Sequence, residues 1–269
     1  MNIAITGGNS NLGNYLFNYL KKKNKVFLLG RRNCNIFYDL KKKFNYDFIK
    51  KNKIKTLIHL AHEYSFNSKN VNLNGSINLF KNIDTAKTRI IFMSSYSSHK
   101  SSLSIYGKTK YIIEKIVPKK NSVIIRPGLI FGCKIDKKIT LFRAIIKYIP
   151  IVPYFVNNKK FLYSVQIREL CLQINKIIQK KKIKKNIYNI YCKEKIFLKD
   201  LINLMNFKNK IYFQIPYCLI YFTIIIISKV IYLKSIDSFL GLIGNKSKDN
   251  YYTENTILTK KSLLKEKLY

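Results

Sequence analysis

The chain has 269 residues, 47 % of them apolar, with 51 Lys and Arg against 13 Asp and Glu and no Trp. Its length and its steady supply of Ile, Leu, Val and Phe can bury a full core, which excludes a disordered, charge-driven protein. The formal charge of +38 rests almost wholly on Lys, only six of the basic residues being Arg. Lys clusters at 21–23, 41–43, 50–55, 119–120, 134–138 and 180–185 fall where elements end rather than along one stripe. No specific nucleic-acid partner is therefore expected, whereas an anionic substrate, a phosphate-bearing cofactor or an acidic membrane surface is compatible with the charge.

Residues 2–5 read as a short buried strand that starts at once after Met1, so no cleavable leader is expected. Thr6-Gly7-Gly8-Asn9-Ser10-Asn11-Leu12-Gly13 follows and opens a helix with Leu12, Tyr15, Leu16, Tyr19 and Leu20 on one face. Strand, Gly-rich turn and helix form a phosphate-binding layout. Glycines allow the sharp turn and a close approach to a pyrophosphate, and amides at the helix N-terminus hold its charge. Ser10 stands where a middle glycine is expected. Gly7, Ser10, Asn11, Leu12 and Gly13 are the candidate residues for this contact.

Lys25–Leu29 reads as a second strand ending in Gly30-Arg31-Arg32. A strand end that binds NAD usually carries an acidic residue for the ribose hydroxyls, and two arginines suit the 2′-phosphate of NADP instead, so NADP is preferred over NAD. Asn35–Tyr38 reads as a third strand, closed by Asp39-Leu40, and Lys55–Ala61 as a fourth. This alternation predicts an α/β fold with a Rossmann-type, doubly wound parallel sheet.

In Tyr106-Gly107-Lys108-Thr109-Lys110, with Glu114 behind it, Tyr106 and Lys110 lie four apart and share one helix face. A free phenol, with a pKa of about 10, is a poor base at neutral pH; a nearby ammonium such as that of Lys110 stabilises the phenolate.

Taken together, these motifs resemble the extended short-chain dehydrogenase/reductases, the NAD-dependent epimerase/dehydratase branch. The likeness runs in order through residues 1–132 and more loosely to about 205. It covers the glycine motif, Asp39-Leu40, His59-Leu60-Ala61, and Asn72, Gly75 and Asn78 on the next helix. It continues through a fifth strand from Arg89 into Ser94-Ser95, then Tyr106-x-x-x-Lys110 and Ile124-Ile125-Arg126-Pro127-Gly128. The resemblance implies that Asp39 and Leu40 contact the adenine and that Leu60 and Ala61 pass beside the cofactor. It further implies that Lys110 bonds the nicotinamide ribose and that Ser95, with Ser94 and Ser97 as neighbouring alternatives, orients the substrate beside Tyr106. Hydride transfer at the nicotinamide would then be coupled to proton transfer through Tyr106. Sugar 4,6-dehydratases of the family carry an Asp-Glu pair after the active-site hydroxyl residue, where this chain has Tyr96-Ser97, so elimination is disfavoured. Leu129 stands where nucleotide-sugar epimerases usually have Asn. Gln166 and Arg168 depart from another family run, in which Glu169 alone keeps its acidic character.

The expected division is a Rossmann domain, 1–132, and a smaller substrate-side region, 133–269, partly interleaved with the sheet. In the latter, 140–148, 169–178 and 199–205 read as helices and 186–192 as a strand. Residues 215–233 are apolar nearly all round and read as one helix, either buried, at a dimer interface or in peripheral membrane contact. The tail from Gly244 carries no signal. The cysteines, Cys34, Cys133, Cys171, Cys192 and Cys218, are odd in number and widely spaced. That spacing, and His59-x-x-His62-Glu63 without a third ligand, point to a reduced compartment and no metal.

The expected protein is a cytoplasmic homodimer, at most at the inner face of the membrane. It is read as an NAD(P)-dependent oxidoreductase or epimerase acting on a sugar, free or nucleotide-linked, or on another hydroxylated substrate. The alternative is a cofactor-binding structural or assembly subunit without turnover.

Overall fold

The computed structural model describes residues 1–65, 68–132, 151–156, 161–183, 186–197, 211–216, 237 and 256–259. Its centre is an eight-stranded sheet in which every pairing is parallel. In chain order the strands are β1 (Asn2–Thr6), β2 (Lys25–Gly30), β3 (Ile36–Phe37), β4 (Thr56–His59), β5 (Arg89–Met93), β6 (Ser122–Pro127), β10 (Ile187–Cys192) and β13 (Thr256–Thr259). Across the sheet they run β13-β10-β6-β5-β4-β1-β2-β3, so the order reverses direction between β1 and β4. A sheet of this kind opens a crevice at that switch point, outside the carboxyl ends of its strands.

The pleat explains why both faces are covered. Successive side chains point to opposite sides, and each side meets its own helices. Ile3 and Ile5 join Ile58, Ile91, Val123 and Ile125 on one face, packed with Leu16 and Leu20 of α1 (Asn11–Leu20) and Leu170, Ile174 and Ile177 of α5 (Ile167–Gln179). Ala4, Leu57, Ile90 and Phe92 form the other face. They pack with Ile49 of α2 (Asp47–Lys51), Leu79 and Phe80 of α3 (Ser68–Lys81) and Ile113 of α4 (Ile105–Ile116).

Past β6 the described segments form two small sheets. β7 (Leu129–Phe131) and β11 (Lys195–Phe197) flank β9 (Phe161–Gln166), while β8 (Ile151–Val156) pairs in parallel with β12 (Ile211–Pro216). The expected apolar helix 215–233 is corrected at its start: Ile215 and Pro216 end a strand whose extended backbone pairs with Phe155 and Val156. Residues 217–233 lie outside the described residues, as do the expected helices 140–148 and 199–205, Cys133 and Cys218. Among the described residues no helix is long and apolar enough to cross a membrane. The third strand is shorter than expected, two residues, and part of the tail that carried no sequence signal supplies edge strand β13. The described lysines of the clusters at 21–23, 41–43, 119–120 and 180–182 are exposed at element ends.

Candidate active site

The glycine turn is shaped by two close approaches. Gly7 has φ +76°, and a Cβ there would stand 2.7 Å from the Ala61 amide nitrogen and 2.8 Å from the Leu60 carbonyl carbon. The turn after β1 therefore lies directly on the chain leaving β4, at the switch point. Gly13 is equally constrained, with the Gly7 carbonyl oxygen 2.5 Å from where a Cβ would be. Ser10 has a local reason to replace glycine. Its hydroxyl caps α1 by accepting from the Gly13 amide at 3.0 Å, and it donates to the Gly7 carbonyl at 2.8 Å. Asn11 and Leu12 begin the helix, whose first turn holds no acidic residue, so its positive end is available to an anion.

Arg31 and Arg32 follow β2, both exposed. Asn9, which the sequence reading passed over, ties them to the glycine turn: its Oδ1 accepts from the Arg31 amide at 2.8 Å and the Arg32 amide at 3.2 Å, and its Nδ2 donates to the Arg32 carbonyl. The Arg31 guanidinium donates to Glu63 at 3.1 Å while remaining more than half exposed. After β3, Asp39 accepts from the Lys41 amide at 2.9 Å, and Leu40 packs where a Cβ on Gly75 would stand, 2.6 Å from its Cδ2. All these residues follow the carboxyl ends of β1, β2, β3 and β4, on one edge of the sheet.

Residues at the end of β5 and the start of α4 meet at the same edge. Tyr106 lies beside Ser95 and Tyr64, both of which act on its phenol, and its ring stands 15° from parallel to that of Tyr64 with centroids 5.9 Å apart. Ser97 Oγ is 2.9 Å from Ser95 Oγ. Ser94 is turned the other way and donates to Glu114. Lys110 is 2 % exposed, donates to the Met93 carbonyl at 2.7 Å, and holds its ammonium 4.7 Å above the Phe92 ring and 5.8 Å from the Tyr106 ring. Burial lowers its pKa to about 7, opposed by the Glu114 carboxylate. The Tyr106 phenol is pushed well above its ordinary value, first by burial and then by Tyr64, with Ser95 acting in the opposite direction.

The orientation of α4 is fixed by contacts on its far side and at its start. Glu114 takes two bonds from Arg126 on β6, from Nε at 2.8 Å and from Nη2 at 2.5 Å. Ser104 caps the helix at the Gly107 amide. Asp237 then accepts from the amides of Ile105 at 2.6 Å and Tyr106 at 3.2 Å. Neither Tyr64 nor Asp237 was legible beforehand. Tyr64 is one of 20 tyrosines, and Asp237 lies 131 residues from the amide it meets.

His59 has no part at the edge. It is fully buried between Thr6 at 2.8 Å and Ser76 at 3.2 Å, and burial together with the Lys110 charge lowers its pKa to about 3, so it is neutral. Tyr96 also turns inward. It is 8 % exposed, with its ring edge-on to Tyr163 and Tyr191 at 5.5 and 5.7 Å. The residue after Ser95 therefore contributes an aromatic packing surface and no carboxylic acid.

No protein-family model and no curated protein sequence matches the chain. Solved structures do. The dTDP-glucose 4,6-dehydratase from Bacillus anthracis, in complex with NAD, superposes with a TM-score of 0.63 at 15 % identity, over 80 % of this chain and 84 % of that one. The dTDP-4-dehydrorhamnose reductase of the same organism, in complex with NADP, gives 0.64 at 15 % identity, over 81 % and 85 %. The UDP-glucose 4-epimerase from Thermotoga maritima, with UDP-glucose, gives 0.62 at 16 % identity, over 80 % and 86 %. The chain has the fold these enzymes share.

Proposed function

We propose that the chain is an enzyme of the extended short-chain dehydrogenase/reductase kind, an NAD(P)-dependent oxidoreductase or epimerase acting on a sugar, free or nucleotide-linked. The observation that carries this reading is the meeting of Ser95, Tyr106 and Lys110 at the carboxyl edge, beside the glycine turn at the switch point. The residues present fit a dinucleotide. The glycine turn would present backbone and a helix N-terminus to a pyrophosphate, and Arg31 and Arg32, exposed after β2 and tied to that turn by Asn9, would meet a 2′-phosphate, which favours NADP over NAD. Asp39 and Leu40 would border the adenine, and Leu60 and Ala61 the strand end beside the cofactor. Residues 133–269 would supply the substrate side.

When bound, the nicotinamide supplies or accepts the hydride. The chain's own residues manage the proton and the substrate. Ser95 would hold a substrate hydroxyl or carbonyl against Tyr106, whose oxygen would take or give the proton. Lys110, close to Tyr106 with its head dry, would stabilise the phenolate. The inward packing of Tyr96 supports reduction or epimerisation over elimination, since no acid follows Ser95.

The test is a titration with NADPH and NADH, followed by nicotinamide fluorescence, in wild type, Arg31→Ala and Tyr106→Phe. NADPH is expected to bind more tightly than NADH, with a loss of about tenfold in Arg31→Ala, one charge-assisted bond being about 1.5 kcal/mol. Tyr106→Phe is expected to keep binding and to lose turnover by about a hundredfold or more with an active sugar substrate. Absence of binding to either nucleotide would overturn the reading.

A further inference from the structure

Scattered along the sequence, most of the described lysine clusters converge in the fold. Every strand of the central sheet runs the same way, so the chain returning from each helix enters its next strand at one edge, the amino edge, opposite the glycine turn and Tyr106. The returns are 21–24 into β2, 52–55 into β4, 82–88 into β5, 117–121 into β6 and 180–186 into β10. Hydrogen bonds lace them together in sheet order. The Lys25 amide donates to the Met1 carbonyl at 3.1 Å, the Lys55 amide to the Asn2 carbonyl at 2.9 Å and the Arg89 amide to the Lys55 carbonyl at 2.9 Å. Asn121 Nδ2 donates to the Thr85 carbonyl at 2.9 Å and Asn186 Nδ2 to the Lys119 carbonyl at 3.0 Å. At about 4.8 Å per strand, the row is about 24 Å long.

This edge has one sign. Its lysines at 21–23, 53, 55, 87, 119–120 and 180–182 are all exposed. Asp84 is the single carboxylate on the returns, and Lys87 pairs with it at 3.8 Å. The helix dipole accounts for a lysine in a last turn, such as Lys81, but most of these lysines lie past the helix ends. A chain uniformly rich in lysine would give both edges the same character. The carboxyl edge is mixed instead, with Asp39, Glu63, Glu194 and Asp237 set among its basic residues.

The row suits a broad anionic surface rather than a base-reading one. Arg89, the arginine at this edge, directs its guanidinium to the Ile177, Ile178 and Lys181 carbonyls and to Asn121, and the returns hold no aromatic residue on which a base could stack. Lysine ammoniums on long stems meet the diffusely placed phosphates and carboxylates of an anionic lipid leaflet. We propose that the amino edge docks the protein peripherally on an anionic membrane surface, which leaves the carboxyl edge, with Ser95, Tyr106 and Lys110, facing solution. Strands of five and six residues set the two edges about 17–20 Å apart, beyond the screening length of about 10 Å at 0.1 M salt, so each edge acts on a surface by itself.

Co-sedimentation of the full chain with vesicles in 0.1 M NaCl tests this. Wild type is expected to bind phosphatidylcholine vesicles that contain about 30 % phosphatidylserine and to leave vesicles of phosphatidylcholine alone. The triple variant Lys21→Gln, Lys22→Gln, Lys23→Gln is expected to lose about a hundredfold in affinity, from the attraction each lysine contributes near such a surface. Lys41→Gln, Lys42→Gln, Lys43→Gln removes the same charge from the carboxyl edge and is expected to change affinity by less than about threefold. All six lysines are exposed, so both variants keep the core intact. Wild type that stays in the supernatant with the anionic vesicles, or equal losses in the two triple variants, would overturn the proposal. Tighter binding to a DNA duplex than to these vesicles at equal anion concentration, lost in the amino-edge variant, would assign the edge to nucleic acid and overturn it as well.

Discussion

Lys110 shows what the site costs the protein. An ammonium with almost no exposure, bonded to one carbonyl and set over an aromatic face, is held at a pKa of about 7 where a free lysine has 10.5. Between those two values the unfolded chain binds the proton that the folded chain has released, so the contribution of this group to stability rises with pH from about 7 to 10.5 and is at its least favourable below 7. Lys110→Met is expected to flatten that rise and to melt higher than wild type at pH 6, while losing activity, as happens where a site is built against stability. Melting curves of both proteins from pH 5 to about 10 check this; a wild-type alkaline slope retained in the variant would refute it. His59 acts in the same direction over a lower pH range. Its depressed pKa makes a contribution that is present above 6.5 and lost as the pH falls toward 3, and in Lys110→Met it should shrink by the part that the Lys110 charge supplies while the part due to burial stays.

At the scale of elements, charged groups couple pieces far apart in the chain. The Arg89 side chain at the start of β5 donates to the Ile177 and Ile178 carbonyls at 3.1 and 3.0 Å, to the Lys181 carbonyl at 3.3 Å and to Asn121 Oδ1 at 3.2 Å. It thereby closes the carboxyl end of α5, where a cation opposes the helix dipole and otherwise unpaired carbonyls need donors. Arg89→Ala is expected to cost about 2–3 kcal/mol in urea unfolding, the range of charge-assisted bonds to partly buried carbonyls. A loss near zero would mean that water replaces the guanidinium without penalty. Arg126 plays a comparable part for α4. By gripping Glu114 it sets the rotation of the helix, and so places Lys110 and Tyr106, one and two turns earlier, at the carboxyl edge of the sheet.

Across the whole molecule, a two-sided apolar core holds together a chain with an excess of 38 positive charges. Among the described residues three ion pairs occur, and the described lysine clusters stand in solvent. Self-repulsion on such a surface opposes the compact state, and salt shortens its reach to about 10 Å at 0.1 M. The melting temperature is therefore expected to rise by about 5 °C between low salt and about 0.5 M NaCl, judged from the few degrees that 1 kcal/mol shifts a chain of this size. A melting temperature that falls over that range would show that surface attraction outweighs repulsion.

Local chemistry made the first half of this protein readable from the amino acids alone. Buried strands alternate with helices there, and residues such as Gly7 and the Tyr106–Lys110 pair act through backbone freedom or a helix turn, both of which are set by near neighbours. The same locality accounts for the errors. The two-residue β3, strand β13 in a polar tail and the strand that ends at Pro216 depend on pairing partners distant in sequence, which no periodicity reports. Only the tertiary structure decided which residue lies against which. It turned Ser94 to Glu114 and set Ser95 beside Tyr106, sent the Tyr96 ring inward, and brought Tyr64 and Asp237 to α4. Those contacts come from the parallel sheet bringing the ends of β1, β4 and β5 to one edge, a juxtaposition set by packing of the whole chain.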